Sequence, residues 1–368
     1  MNEAIKKVVM PKWGLSMTSG KVIEWIATEG DEIADGDDLA EIDTDKIAGA
    51  LESADDGVLR RIIALVGEDV PVGGTIALLA PAYVPETDID EAARHAREEL
   101  DSGAVEEVPG PQTGTVEVAG RTLAYAVLGD AEEVVVLVHG YGGDKNSWLF
   151  VQEPLSQSCT VYALDLPGHG ESAKDVGDGS LDTLAGAMLG FLAAEGIERA
   201  HLVGHSLGGA VVLAAAAREP HRVASLTLVA PAGFGDQINS GYLRGFAEVT
   251  SRRELKPHLG ALFADPAQVT RKLTDDLLKY KRLDGVDKAL NTLLDTLLDG
   301  DAPGIDAAPL LSRVDVPVAV VWGRADAVLP AANGSALTGV SYVEEAGHMV
   351  HMEKPQAVVA AVEAITAK

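Results

Sequence analysis

The chain has 368 residues, 47% of them hydrophobic, and its 57 acidic against 29 basic residues give a formal net charge of −28. That charge argues against nucleic acid, which needs a basic face, and against anionic membranes, and no apolar run is long enough to span a bilayer. The length exceeds what one core usually serves, so two domains are expected.

Two further features of the composition bear on location. The opening Met1-Asn2-Glu3-Ala4-Ile5-Lys6-Lys7 lacks the apolar stretch of a secretory signal. The single cysteine, Cys159, leaves no intrachain disulfide and fits a reducing cytoplasm.

In chain order, the first pattern is an internal repeat. Gly20-Lys21-Val22-Ile23-Glu24-Trp25, followed by Gly30, Gly36 and Leu39-Ala40, returns as Gly57-Val58-Leu59-Arg60-Arg61-Ile62, followed by Gly67, Gly73 and Ile76-Ala77. The offset is 37 throughout (57 − 20, 67 − 30, 73 − 36). Each copy alternates apolar and polar residues between Gly-acidic turns, so each is expected to form a short antiparallel sheet, the two burying a shared core. Between the copies, Glu41-Ile42-Asp43-Thr44-Asp45-Lys46-Ile47-Ala48 sets Lys46 at a hairpin tip. A lysine so presented suits a covalent arm; the plain alternative is a solvated surface lysine.

The run Gly30-Asp31-Glu32-Ile33, Gly36-Asp37-Asp38-Leu39, Ile42-Asp43-Thr44-Asp45-Lys46 resembles the lipoyl domain of 2-oxo acid dehydrogenase complexes, and Met10-Pro11-Lys12-Trp13-Gly14-Leu15-Ser16-Met17 is similar to its first strand. The resemblance covers about residues 4–82 and implies a flattened all-β barrel with lipoate on Lys46. Biotin carriers share that fold but present Met-Lys-Met, whereas Asp45 and Ile47 flank the lysine here.

Residues 83–112 are rich in Pro and charge, with an Ala- and Glu-rich middle from Asp88 to Leu100. They are expected to be a flexible acidic linker with a helical centre and no core of its own. The Pro-Ala-x-Arg motif of the small subunit-binding domain, found here in many lipoyl acyltransferases, is absent.

From residue 113 strands alternate with helices. Val134-Val135-Val136-Leu137-Val138 reads as a buried parallel strand, followed by the turn His139-Gly140-Tyr141-Gly142-Gly143. Thr160–Leu164, Ala200–Val203, Ser225–Val229 and Val316–Trp322 continue the pattern of a mostly parallel, doubly wound sheet. Ser206 lies in Gly204-His205-Ser206-Leu207-Gly208 at a strand-to-helix junction, where Gly-x-Ser-x-Gly makes a nucleophile elbow. The amides of Leu207 and Tyr141 are the expected oxyanion donors. Asp326, after the strand ending at Trp322, and His348 follow in the order Ser, Asp, His.

This order and spacing resemble the α/β-hydrolase family over residues 113–368. The resemblance implies Ser206 as nucleophile, His348 as base and Asp326 as orienter of the imidazole. Asp165, Asp236, His139, His169, His205 and His351 are assigned no catalytic role, and no metal site is expected. Residues 236–309 are expected to form a helical cap. Eight Lys and Arg residues between Arg252 and Arg282 either meet coenzyme A phosphates or are solvated helix faces.

The domain order resembles the acyltransferase components of bacterial acetoin dehydrogenase systems. That resemblance implies acetyl transfer from dihydrolipoyl-lysine to coenzyme A. Its implied partners are thiamine-diphosphate acetoin dehydrogenase subunits, dihydrolipoamide dehydrogenase and further copies of the chain. The competing reading is a serine hydrolase whose lipoyl part carries groups for other enzymes.

Overall fold

The 37-residue offset reappears in the strands of the computed structural model, which describes residues 2, 4–12, 17–44, 48–103 and 110–367. Two units are resolved by their internal packing, Met1–Gly110 and Pro111–Lys368.

The first unit contains β1 (Lys6–Val9), β2 (Ser19–Trp25), β3 (Glu32–Ile33), β4 (Asp38–Asp43), β5 (Ala48–Glu52), β6 (Gly57–Ile62), β7 (Asp69–Pro71) and β8 (Thr75–Ala80). β4 and β8 begin and end at equivalent positions, Asp38 with Thr75 and Asp43 with Ala80. The paired glycines Gly30 and Gly67 have φ of 101° and 85°, and Gly36 and Gly73 have 88° and 83°. These left-handed turns favour Gly because it lacks a Cβ.

The expectation that each copy makes its own sheet is corrected. The two four-stranded sheets run β1-β8-β6-β3 and β5-β4-β2-β7. Each copy thus lends its short middle strand to the other's sheet: Glu32 pairs with Val58, and Lys21 with Asp69. The exchange merges the apolar faces into common clusters, one of which joins Leu39 and Ile33 to Leu59, Ala77 and Leu79. β4 and β5 pair antiparallel with Asp43 opposite Ala48. The four residues joining them include Lys46, which lies outside the described residues.

The linker expectation is also corrected. Helix α1 (Glu86–Ser102) buries Ile89, Ala92 and Ala96 against Ile5, Ile63, Leu78, Ala80 and Val84 of the β unit. Ion pairs reinforce the seam: Lys7 with Glu99 at 3.2 Å, Arg61 with Asp90 at 2.5 Å and Arg97 with Glu68 at 2.6 Å. The Ala-rich stripe that looked too poor for a core is small enough to lie flat on the sheet. Gly103 ends the helix in the left-handed conformation, φ 68°. Residues 104–109, Pro109 among them, lie outside the described residues.

The second unit is built on β9 (Gln112–Val118), β10 (Arg121–Leu128), β11 (Val134–Val138), β12 (Thr160–Leu164), β13 (Ala200–His205), β14 (Val223–Val229), β17 (Val318–Gly323) and β18 (Val340–Val343), in the order β18-β17-β14-β13-β11-β12-β10-β9. Pairing is parallel from β12 to β18 and antiparallel at β10 and β9. A small hairpin, β15 (Leu298–Asp299) with β16 (Ala302–Pro303), stands apart.

Alternation along β11 divides the core. Val136 and Val138 face the cluster containing α3 (Leu181–Ala194) and α4 (Leu207–Arg218), whereas Val135 and Leu137 face α2 (Leu149–Leu155) and α11 (Pro355–Thr366). Between β14 and β17 lie α5 (Ser240–Glu248), α6 (Arg252–Leu259), α7 (Arg271–Lys281), α8 (Val286–Leu297) and the short α9 (Ala308–Leu311); α10 (Val350–Glu353) precedes α11. No helix among the described residues is long and apolar enough to cross a membrane.

Candidate active site

The turn between β13 and α4 is sharp enough to force Ser206 to φ 52° and ψ −117°, a conformation a side-chain-bearing residue adopts only under constraint. The constraint is close packing. A Cβ on Gly204 would strike the carbonyl of Gly208, and one on Gly208 would strike the carbonyls of Val138 and His139. Ser206 donates its amide to Val229 at 3.0 Å, and its carbonyl accepts from Gly209 and Ala232. Its hydroxyl caps no backbone amide of α4, so it is not spent as an ordinary helix cap.

Asp326 and His348, 22 positions apart in sequence, meet through His348 Nδ1 and Asp326 Oδ2 at 2.8 Å. The other carboxylate oxygen accepts the amides of Val328 and Leu329, each at 2.8 Å. Both oxygens of Asp326 are thereby engaged as acceptors. Donation of the Nδ1 proton leaves the Nε2 lone pair of His348 free to take a proton. Ser206, Asp326 and His348 are 8%, 5% and 3% exposed, which places them in a largely dry site.

The Gly-rich turn after β11 lies beside the serine. A Cβ on Gly140 would come within 3.0 Å of the Ser206 Cβ. Gly142 donates its amide to His169 Nε2 at 3.0 Å. The amides of Tyr141 and Leu207 donate to no backbone carbonyl among the described residues. The Tyr141 hydroxyl donates to Leu290 of α8 at 3.1 Å, tying the turn to the inserted helices.

The residues set aside have other work. Asp165, fully buried, accepts from Lys145 Nζ at 2.9 Å and from the amides of Lys145 and Glu171. His139 Nε2 accepts from Leu166 at 3.0 Å, and burial holds both the His139 and His169 imidazoles below their ordinary value, hence neutral. These contacts brace the loops.

Three supporting residues owe their roles to the tertiary structure. His205 donates Nε2–H to the His348 carbonyl at 3.0 Å and stacks on that ring at 4.6 Å. His351 packs behind His205 at 4.5 Å and against Trp148 at 4.3 Å, with neither ring nitrogen hydrogen-bonded among the described residues. Glu353 accepts the amides of Gly347 and Ala264, both at 2.7 Å. In the sequence, His205 stands beside Ser206 and His351 close to His348, and neither is assigned a role on that ground.

Comparison with known proteins agrees with both units. Residues 133–355 match the α/β hydrolase fold family, and residues 6–79 match the biotin/lipoyl family described as biotin-requiring enzyme. Among solved structures, a membrane phospholipase A described as a bacterial virulence factor superposes with a TM-score of 0.61 at 26% identity, over 78% of this chain and 92% of that one. The dihydrolipoyllysine-residue acetyltransferase component of the acetoin cleaving system of Pseudomonas putida is 45% identical over 358 residues, 96% of each chain. Its counterpart in Cupriavidus necator is 44% identical over 357 residues, 96% of this chain and 95% of that one. With both units matched across nearly the full length, the chain belongs to the family of dihydrolipoyllysine-residue acetyltransferase components of acetoin cleaving systems.

Proposed function

We propose that this chain transfers an acetyl group from a dihydrolipoyl arm on Lys46 to the thiol of coenzyme A, with Ser206 as the relay. The observation that carries the reading is the Asp326–His348 pair at 2.8 Å, tied through the His348 carbonyl to His205, the residue just before a serine whose hydroxyl is not used in capping, on the same chain as a lipoyl-type unit. The lysine fits its attachment role, since β4 and β5 leave only residues 44–47 to connect them. When bound there, lipoate supplies an acyl thioester as substrate.

Ser206 Oγ attacks the thioester carbonyl while His348 Nε2 takes its proton. The Tyr141 and Leu207 amides stabilise the oxyanion. On collapse the C–S bond breaks, and His348 returns the proton to the departing sulfur, leaving an acetyl-serine. His348 next takes the proton of the coenzyme A thiol, whose sulfur attacks the acetyl carbon. The Ser206 C–O bond breaks, and Oγ recovers its proton. Asp326 stabilises the imidazolium formed in each half. No net oxidation or reduction occurs.

The same reading carries the assembly. The acyl group comes from thiamine-diphosphate acetoin dehydrogenase subunits, the arm is reoxidised by dihydrolipoamide dehydrogenase, and several copies of the chain form a cytoplasmic core. Residues 1–103 act as the carrier unit, with α1 included, and residues 113–368 as the transferase.

The test is S-acetyl-dihydrolipoamide with and without coenzyme A, with acetyl-coenzyme A and free acetate both quantified. Acetyl-coenzyme A should dominate and be lost in Ser206→Ala. Acetate alone at saturating coenzyme A overturns the transferase reading in favour of a hydrolase.

A further inference from the structure

The charge of the chain is unevenly spread. Eight of its 29 Lys and Arg residues fall between Arg252 and Arg282, against four acidic residues in the same stretch, Glu254, Asp265, Asp275 and Asp276. A local positive excess in a chain of net charge −28 needs a reason. Three of the eight line a cavity of about 450 Å³, bounded on one side by Thr250, Ser251 and Arg252 and on the other by Asp275, Leu278, Lys279 and Arg282. That is within the range of small-ligand sites, about 300–1,000 Å³.

The cations at this cavity differ in their partners. Arg252 is paired with Asp275 through Nε at 2.6 Å and Nη2 at 2.7 Å. Lys279 meets Asp276 at 2.8 Å. Arg282 has no carboxylate partner among the described residues, and Thr250 shares the wall with it, whereas the Ser251 hydroxyl is taken up by the amide and carboxylate of Glu254. The five guanidinium donors of Arg282, with the ammonium of Lys279 nearby, suit tetrahedral oxyanions.

The cavity is joined to the active site by α5. At one end of that helix, Asn239 accepts from the amide of Tyr242, donates its own amide to Val328 and donates its side-chain amide to Ala327, beside Asp326. At the other end the chain passes directly into Thr250 and Ser251. Nine helical residues span roughly 14 Å at 1.5 Å per residue. Along the way, Phe246 packs on Tyr141 at 5.8 Å, while Lys281 donates to the carbonyl of Ala247 at 3.0 Å and lies 5.0 Å from the Phe246 ring. The cavity therefore stands one short helix away from the acid loop.

Coenzyme A has a thiol at one end of a long uncharged arm and three phosphates at the other. Its thiol must reach Ser206, whereas its phosphates cannot enter a dry site that already holds the Asp326 carboxylate. They must be held outside, at the reach of the arm. We propose that the cavity between the start of α6 and the end of α7 binds the phosphorylated nucleotide end of coenzyme A, with Arg282 and Lys279 as its principal cationic contacts. The inference rests on the acyl-transfer reading above.

The test uses the full-length protein with S-acetyl-dihydrolipoamide as donor and either coenzyme A or pantetheine as acceptor. Arg282→Ala combined with Lys279→Ala should lower the preference for coenzyme A over pantetheine, measured as the ratio of kcat/KM, by about tenfold or more, the loss of one charge-assisted bond. Arg253→Ala combined with Lys256→Ala, which removes the same two charges outside the cavity lining, should leave that ratio within about twofold, which separates a built site from general attraction. Adenosine 3′,5′-bisphosphate should compete with coenzyme A in the wild type and bind at least tenfold more weakly to the double variant, as read by titration calorimetry. An unchanged ratio, or equal binding of the bisphosphate by both proteins, overturns the proposal. Calorimetry needs no turnover, so a protein that releases only acetate yet binds the bisphosphate through Arg282 and Lys279 would overturn the transferase reading and keep the site.

Discussion

Glu353 accepts the amide of Gly347, the residue immediately before His348, at 2.7 Å through Oε2. Through Oε1 the same carboxylate accepts the amide of Ala264, also at 2.7 Å. Met349 closes the arrangement by donating its amide to Leu262 at 3.1 Å. The loop that carries His348 is therefore fastened on both sides to the segment following α6, and Gly347 has no room for a Cβ against Ala264 and Phe263.

Glu353→Gln should lower kcat because an amide cannot accept at both ends, so one of the two backbone amides faces an N–H group. Misplacing the imidazole by even a fraction of an ångström should cost roughly tenfold or more in rate. Each unsatisfied amide adds about 1–3 kcal/mol of instability. Stopped-flow acetyl transfer and urea unfolding on the same preparation check both numbers. A variant with wild-type kcat would show that His348 is held without this clamp.

Gly208→Ala should be far more damaging than its one methyl group suggests. Its Cβ would strike the backbone oxygens of Val138 and His139, which cannot move without disturbing β11. Acetyl transfer should fall by orders of magnitude, comparable to Ser206→Ala, since groups in a triad act as one unit. Ser206→Ala itself should leave the thermal transition nearly unchanged, because it removes a hydroxyl with no capping role. Comparing the two variants by activity and melting temperature separates loss of the nucleophile from loss of the elbow.

His351 should make the second unit acid-sensitive. Burial and the neighbouring His348 and His139 hold its imidazole down to about 3, against an ordinary value of about 6.5 in the unfolded chain. The unfolded state thus binds the proton first. The contribution is fully present above about pH 6.5 and is lost as pH falls toward 3, at about 1.4 kcal/mol per pH unit. His205, also lowered by burial and by its histidine neighbours, acts in the same direction. His351→Phe keeps a ring between Trp148 and His205 and removes two unpaired nitrogens. It should flatten the dependence of unfolding free energy on pH between 6 and 4 by about one proton's worth. Identical slopes for the two proteins would rule this out.

Ile89→Ala should destabilise the lipoyl-type unit rather than the transferase unit. Ile89 is fully buried in the cluster that joins α1 to Ile5, Ile63 and Leu78. Deleting such a side chain costs about 2–5 kcal/mol. Calorimetry of the full chain should show the change in one transition and leave the other in place. If neither transition moves, α1 is not part of that unit's core.

The sequence by itself determined the elements whose signal is local or periodic. The repeat placed β2 to β4 and β6 to β8, the Gly-x-Ser-x-Gly turn placed Ser206 between β13 and α4, and the strand endings placed Asp326 and His348 on the loops after β17 and β18. Each follows from short-range sterics or from side-chain period. Only the tertiary structure decided how those elements were paired. Whether β3 joins β2 or β6 depends on which faces meet in the merged core, and a two-residue strand carries no pattern to tell. The stripe of Ala and Ile on α1 reads the same whether it is solvated or docked, until the sheet that covers it is known. The clamp from Glu353 to Ala264 spans 89 residues and the bond from His205 to His348 spans 143. Such contacts leave no periodicity because their partners are set by how distant segments pack.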